Sequence, residues 1–277
     1  MLEAAGAAES PDARLRIDLG TVLYELAELR GRSDLYERAV GVLTSAVDLA
    51  PGAPGATRAL EELVYAYARL GRSREELAAW HRYIPRLLDP RTRTVAQMNM
   101  GEAEMRLGRL GDALATFREV LRACGELPNT SSTYVLGLWD LAVALDRSGD
   151  ARGGLETAAR AARETAIDSQ GMPTTGRGLL TRDPAVFFVP AWERQWYLAL
   201  GSSALAREAT DPHEAWQYWA EAAHEWDEYV TRAEASREPD RWLPIARARR
   251  DRARAERDAA EKRQARVPRR LPPPERP

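Results

Sequence analysis

Apolar residues recur at three- and four-residue spacing from Leu15 almost to the end of the chain, with Gly or Pro punctuation roughly every 15 to 20 residues. This is the period at which an α-helix returns to the same face, not the two-residue alternation of a strand. The pattern predicts helices near 13–30, 34–49, 56–70, 73–88, 92–107, 110–123, 133–147, 151–166, 190–207, 212–234 and 240–264. Between Asp168 and Pro190 the periodicity stops and Gly171, Pro173, Gly176, Gly178, Pro184 and Pro190 cluster, which predicts a long loop. Within it, Val186-Phe187-Phe188-Val189 reads as a short extended stretch that is partly packed down.

Aligning the helical segments on their glycines exposes a repeat. One unit carries Leu23, Leu26-Ala27, Ala39, Leu43, Ala46 and Pro51; the next carries Leu63-Val64, Tyr67, Gly71 and Trp80. A third has Met100-Gly101, Gly108, Ala113 and Phe117, and a fourth Leu138, Leu141-Ala142, Leu145, Gly149, Ala158 and Ala161. Small residues at Ala27, Gly101 and Ala142 let two helices approach closely, and Trp80 and Phe117 are large enough to plug the gap to the next unit. Gly71, Gly108 and Gly149 supply the left-handed residue that ends a first helix.

These positions resemble the tetratricopeptide pattern of W-x2-L-G-x2-Y, then A-x3-F, then P, with its period of about 34 residues. The resemblance is clear over residues 14–166 and degenerate over 190–264. Unit starts near 20, 57, 94 and 135 are spaced more widely than that period, which implies longer turns, notably from Cys124 to Ser132. Glu76 stands where a small residue is expected, and Pro85 interrupts the second helix of its unit. The resemblance implies an all-α, right-handed helical-hairpin solenoid of about five repeats with a C-terminal capping and projecting helix. The expected organisation is a flexible lead-in over 1–12, four repeats over 13–167 and the loop over 168–190. A degenerate Trp-rich repeat with the C-terminal helix follows over 191–264, then a disordered Pro/Arg-rich tail over 265–277.

At 277 residues the length alone suggests two domains, a limit that a repeat array escapes because each unit buries its face on the next. Lys262 is the only lysine, so 39 of the 40 basic residues are arginine, a bias expected from a GC-rich, bacterial-type genome. The net charge of −2 hides an asymmetry: 12 basic and 5 acidic residues from Ala246 onward leave the rest acidic. A basic end suits phosphate or anionic lipid, and equally a solvated helix end. Cys124 is the only cysteine, which rules out an intrachain disulfide and CxxC zinc pairs. No apolar run is long enough to span a membrane. Met1 to Pro11 lacks the basic and apolar regions of a signal peptide. A cytoplasmic location is therefore expected, or a periplasmic or secreted one if a leader had been removed.

Candidate chemistry is sparse. His224 and Glu228 have the spacing for two metal ligands, but HEWDE is not HExxH and His81 and His213 lie on other elements, so no metal or cofactor is expected. The segment Gly171 to Arg177 lacks the Lys and Ser/Thr of a phosphate loop. No Ser-His-Asp or Cys-His set is supported, and the chain is not expected to be an enzyme. Six of eight Trp fall in the last third, and on the helix from Pro212 they share a wide apolar arc with Tyr218 and Tyr229, as in a helix packed on two sides.

In tetratricopeptide arrays the first helices line the ligand groove. Carried over residue by residue, the resemblance implies groove positions at Tyr24, Glu28, Arg58, Glu61, Tyr65, Arg69, Met98, Glu102, Arg106, Trp139 and Arg147. Arg69, Arg106 and Arg147 then form a basic column. The Lys/Asn set that similar co-chaperones use to hold a terminal carboxylate is missing, so no heat-shock partner is implied. The expected function is a non-catalytic scaffold or adaptor binding a peptide or partner helix of another protein. The alternative is a regulatory module with a ligand-sensing solenoid and a basic tail contacting nucleic acid or anionic lipid.

Overall fold

The computed structural model describes residues 6–128, 131–237 and 239–265. Within them the chain is almost entirely helical and divides into two compact units, the first ending at Ala144 and the second beginning at Leu145. Residues 1–5 of the expected lead-in, and all of the expected tail after Ala265, lie outside the described residues.

The first unit contains α1 (Ala13–Arg30), α2 (Ser33–Leu49), α3 (Ala56–Arg69), α4 (Ser73–Tyr83), α5 (Pro90–Arg106), α6 (Leu110–Glu126) and most of α7 (Ser131–Ser148). Consecutive helices pair as α1/α2, α3/α4 and α5/α6, and α2 packs on α3 as α4 does on α5. Asp12 and Asp89 start their helices by accepting a backbone N–H two or three residues on. Gly31, Gly71 and Gly108 end first helices with φ of 61°, 68° and 75°, the left-handed turn expected at the last two. The core runs through Leu23, Ala27, Leu43, Leu60, Leu63 and Trp80. A Cβ on Gly101 would sit 2.6 Å from the Phe117 ring, so the glycine is what lets α5 and α6 close up. α4 stops five residues before its predicted end, followed by one 3-10 turn over Ile84–Arg86, because Pro85 has no N–H to continue the ladder.

The second unit holds the last turn of α7, then α8 (Ala151–Arg163), β1 (Thr165–Ile167), β2 (Pro173–Thr175) and α9 (Gly176–Arg182). Next come α10 (Glu193–Glu208), α11 (Pro212–Ala235) and α12 (Leu243–Ala265). α10 packs on both α8 and α11 and touches α9, and α12 lies against α11. The loop expected over 168–190 is corrected in its first half. β1 and β2 form an antiparallel hairpin with Ala166 opposite Thr174, and α9 follows at once, capped by the Thr175 hydroxyl. Asp168 closes the turn by accepting the N–H groups of Gln170 at 3.0 Å and Met172 at 2.8 Å. Strands of three residues and a helix of seven are too short to show a period.

The expectation that the distal C-terminal helix projects into solvent is also corrected. Ala246, Ala253 and Ala260 are buried at seven-residue intervals along α12, and Gln264 reaches His213 at the start of α11, 2.6 Å away. Arg247–Glu234 at 2.8 Å and Arg254–Asp227 at 2.6 Å stitch the same two helices further along. Alanine makes a close seam without a conspicuous apolar stripe, so periodicity understated the packing.

Candidate partner-binding face

Three first helices of the first unit, α1, α3 and α5, are bridged to their neighbours by several clusters of side chains. Arg58 on α3 reaches back to Glu25 on α1 at 2.8 Å and along its own helix to Glu62 at 2.8 Å. The Thr21 hydroxyl donates to the other Glu62 oxygen at 2.7 Å. A turn away, Arg69 donates to both oxygens of Glu28 at 3.0 and 3.1 Å, and Tyr36 of α2 donates to Glu28 at 2.7 Å. Burial pushes the Glu28 carboxyl up, yet the hydrogen bonds from Arg69 and Tyr36 outweigh it and hold the group below the usual range. Tyr24 meets the Tyr36 ring edge-on with centroids 6.0 Å apart, and burial followed by the Glu28 charge pushes its phenol up.

The next interval repeats the plan with different residues. Asn99 on α5 donates to the Tyr65 hydroxyl at 3.4 Å, and the Tyr65 ring stands edge-on to Trp80 at 5.8 Å. The indole N–H of Trp80 donates to Glu76 at 3.2 Å. One Arg106 nitrogen lies 2.7 Å from both oxygens of that carboxylate, and Glu102 is 3.6 Å from another. Glu76 is 2% exposed, so the acid standing at a small-residue position of the repeat is an interior counter-ion for Arg106.

Eight of the eleven positions implied by the tetratricopeptide register are therefore surface-accessible on this face: Tyr24, Glu28, Arg58, Glu61, Tyr65, Arg69, Glu102 and Arg106. The other three are inside. Met98 packs with Val120 and Cys124, and Trp139 is 1% exposed. Exposing such side chains would forfeit about 1.5–3 kcal/mol each, so they turn inward once neighbouring helices offer cover. Arg147 belongs to the second unit and is enclosed there. The basic column expected from Arg69, Arg106 and Arg147 is thus replaced by separate ion pairs, each arginine holding its own carboxylate.

Sequence reasoning missed the hub around Arg147. Its guanidinium donates to Glu193 at 2.5 Å and lies 4.3 Å from the ring centre of Trp196 and 4.9 Å from that of Trp242. Burial works against the charge, and Glu193 outweighs it, leaving Arg147 more strongly protonated than a free arginine. The Tyr229 hydroxyl sits 2.7 Å from Asp240 and 3.3 Å from Glu193, and Tyr229 and Trp226 both stand edge-on to Trp196. Three of the six tryptophans of the last third, Trp196, Trp219 and Trp226, are buried, and Trp192, Trp216 and Trp242 are partly buried. The available signal was Glu193 three residues before Trp196, one helical turn that places a counter-ion and a ring side by side.

Among the described residues no helix is long and apolar enough to cross a membrane, and no three His, Cys, Asp or Glu side chains are grouped to hold a metal ion. No family model matches the chain, and no curated protein matches it. Among solved structures, a kinesin light chain of Podosopora anserina with nearly identical TPR-like repeats is similar at 15% identity and a TM-score of 0.45, over 94% of this chain and 100% of that one. The hairpin order, the glycine turns and the Gly101–Phe117 contact of this chain by themselves describe a nearly all-helical fold of consecutive helical hairpins that resembles the tetratricopeptide pattern.

Proposed function

We propose that the chain is a non-catalytic protein-interaction scaffold that holds an extended peptide or a partner helix on the α1/α3/α5 face. The observation that supports this reading is the set of bridges between these helices. Arg58 and Arg69 tie α3 to α1, and Asn99 and Tyr65 tie α5 to α3, so the face is set before a partner arrives. A partner that meets such a face loses little free energy in ordering it. Tyr24 and Tyr65 offer half-buried rings as contacts, the side-chain type that dominates binding hot spots.

Charge selects the partner's chemistry. The accessible carboxylates Glu25, Glu28, Glu61 and Glu102 stand beside Arg58, Arg69 and Arg106, so a segment with basic side chains is complementary to this face. The test is fluorescence anisotropy with labelled extended peptides that carry arginine and lysine. Saturable binding should disappear in Glu25→Lys/Glu61→Lys while circular dichroism stays helical. Binding that the double variant keeps would reject this face.

A basic C-terminus gripping nucleic acid or anionic lipid is the less favoured reading. Arg247, Arg249 and Arg254 are engaged by Glu234, Asp146 and Asp227, and Arg250 by Asp251, which leaves the described part of that segment largely neutralised.

A further inference from the structure

The second unit contains a cavity of about 250 Å³ lined by residues of α8, α10, α11 and α12 and by Asp146 of α7. Its walls are of two kinds. Leu155, Leu200, Trp219 and Trp226 make an apolar surface, while four arginines, Arg152, Arg207, Arg249 and Arg252, face a single carboxylate. Two of those cations are already satisfied: Arg249 pairs with Asp146 at 2.6 Å and Arg152 with Glu156 at 2.7 Å. Arg207 and Arg252 have no carboxylate partner among the described residues, and the buried Nε of Arg249 has no hydrogen-bond acceptor there. Two uncompensated positive charges and a spare donor stand beside an indole-lined wall.

An anion is the complement of that charge, and an apolar body is the complement of that wall. Guanidinium groups bind carboxylates well because their N–H forks match two oxygens. The volume lies just below the roughly 300 Å³ at which pockets for drug-sized ligands begin, which restricts the ligand to a small acid. We infer that the second unit binds a small monoanionic acid, an aryl or alkyl body carrying one carboxylate. Arg207 and Arg252 take the carboxylate, and Trp219, Trp226, Leu155 and Leu200 enclose the body. This site is separate from the α1/α3/α5 face, in its residues and in the ligand it takes.

Trp219 and Trp226 make intrinsic fluorescence a direct reporter. Titration with 4-phenylbutyrate should give a saturable change, with heat by calorimetry at the same concentration. The uncharged 4-phenylbutanamide should bind about tenfold more weakly or worse, having lost the charge-assisted hydrogen bonds. Arg207→Ala/Arg252→Ala should abolish the saturable change. Both arginines are exposed, so the helical circular dichroism should be unaltered. Glu25→Lys/Glu61→Lys should bind the acid as wild type does, which separates this result from that of the peptide face. Equal binding of acid and amide, an unchanged affinity in the arginine double variant, or no saturation would overturn the inference. So would binding of a peptide with a free C-terminal phenylalanine in the absence of any binding of 4-phenylbutyrate, because the site would then read peptide ends.

Discussion

The Arg147 guanidinium lies 4.3 Å from the Trp196 ring centre and donates to Glu193 at 2.5 Å, and its side chain is entirely enclosed. Ring faces are electron-rich, so the indole helps hold a charge that water cannot reach. Glu193 supplies the rest. A buried pair of this kind is costly to break because the survivor stays charged in a dry interior. Arg147→Ala should therefore destabilise the protein by about 3–5 kcal/mol in urea unfolding. Arg147→Met/Glu193→Leu should recover most of that loss, since both charges then leave together. A small effect of Arg147→Ala would mean that water reaches the guanidinium.

Gly101 and Phe117 give a second test, this time of the repeat geometry. An added methyl would lie 2.6 Å from the ring, too close unless α5 and α6 separate. Gly101→Ala should cost about 1–3 kcal/mol, the usual range for overpacking, despite the better helix propensity of alanine. Gly101→Ala/Phe117→Leu should restore part of it in the same urea titration. Additive losses would contradict the close approach.

Burial raises the carboxyl of Glu104 above its ordinary value of 4.5, with the Thr116 hydroxyl donating to it at 2.8 Å as partial compensation. Folding then favours the protonated acid. That contribution is fully present below the unfolded value and is lost as pH rises through the higher folded value. Glu104→Gln, which cannot ionise, should gain stability relative to wild type as pH rises from 4.5 and then level off. Thermal unfolding of both proteins across pH 4–8 (~ one unit steps) measures the difference. A gap that widens toward acid would have the wrong sign.

The alanine seam of α12 predicts order where a polar helix end suggests fraying. Amide hydrogen exchange should show protection through Ala260, and Ala253→Leu should cost about 1–3 kcal/mol by crowding α11. Rapid exchange beyond Arg254 would show that the seam does not hold.

Much of this fold was legible because its devices are periodic. Leu35, Ala39, Leu43 and Ala46 fall at helical spacing on α2 and are buried, and Gly71, Gly108 and Gly149 stand where a left-handed turn is required. The hairpin at Ala166 and Thr174 was not legible, because three-residue strands carry no period. The candidate face was legible in part. Tyr24, Arg58, Arg69 and Arg106, selected by register, are surface-accessible, but register cannot tell an exposed first-helix position from a covered one. Met98, Trp139 and Arg147 are covered because large apolar surface and a paired cation gain more from a neighbour than from water. The buried carboxylates that neutralise Arg106 and Arg147 come from residues 30 and 46 positions away, Glu76 and Glu193, a separation that local pattern does not encode.

The most direct test of the account places a photo-crosslinking residue at one position at a time and asks which one captures a bound basic peptide. Glu25 and Glu61 lie on the proposed face, and Arg118 is an exposed position of the second helix α6. Crosslinks from positions 25 and 61, absent at 118 and competed away by unlabelled peptide, are the predicted result. Capture from 118 with none from 25 or 61 would contradict the account and move the binding surface to the second helices.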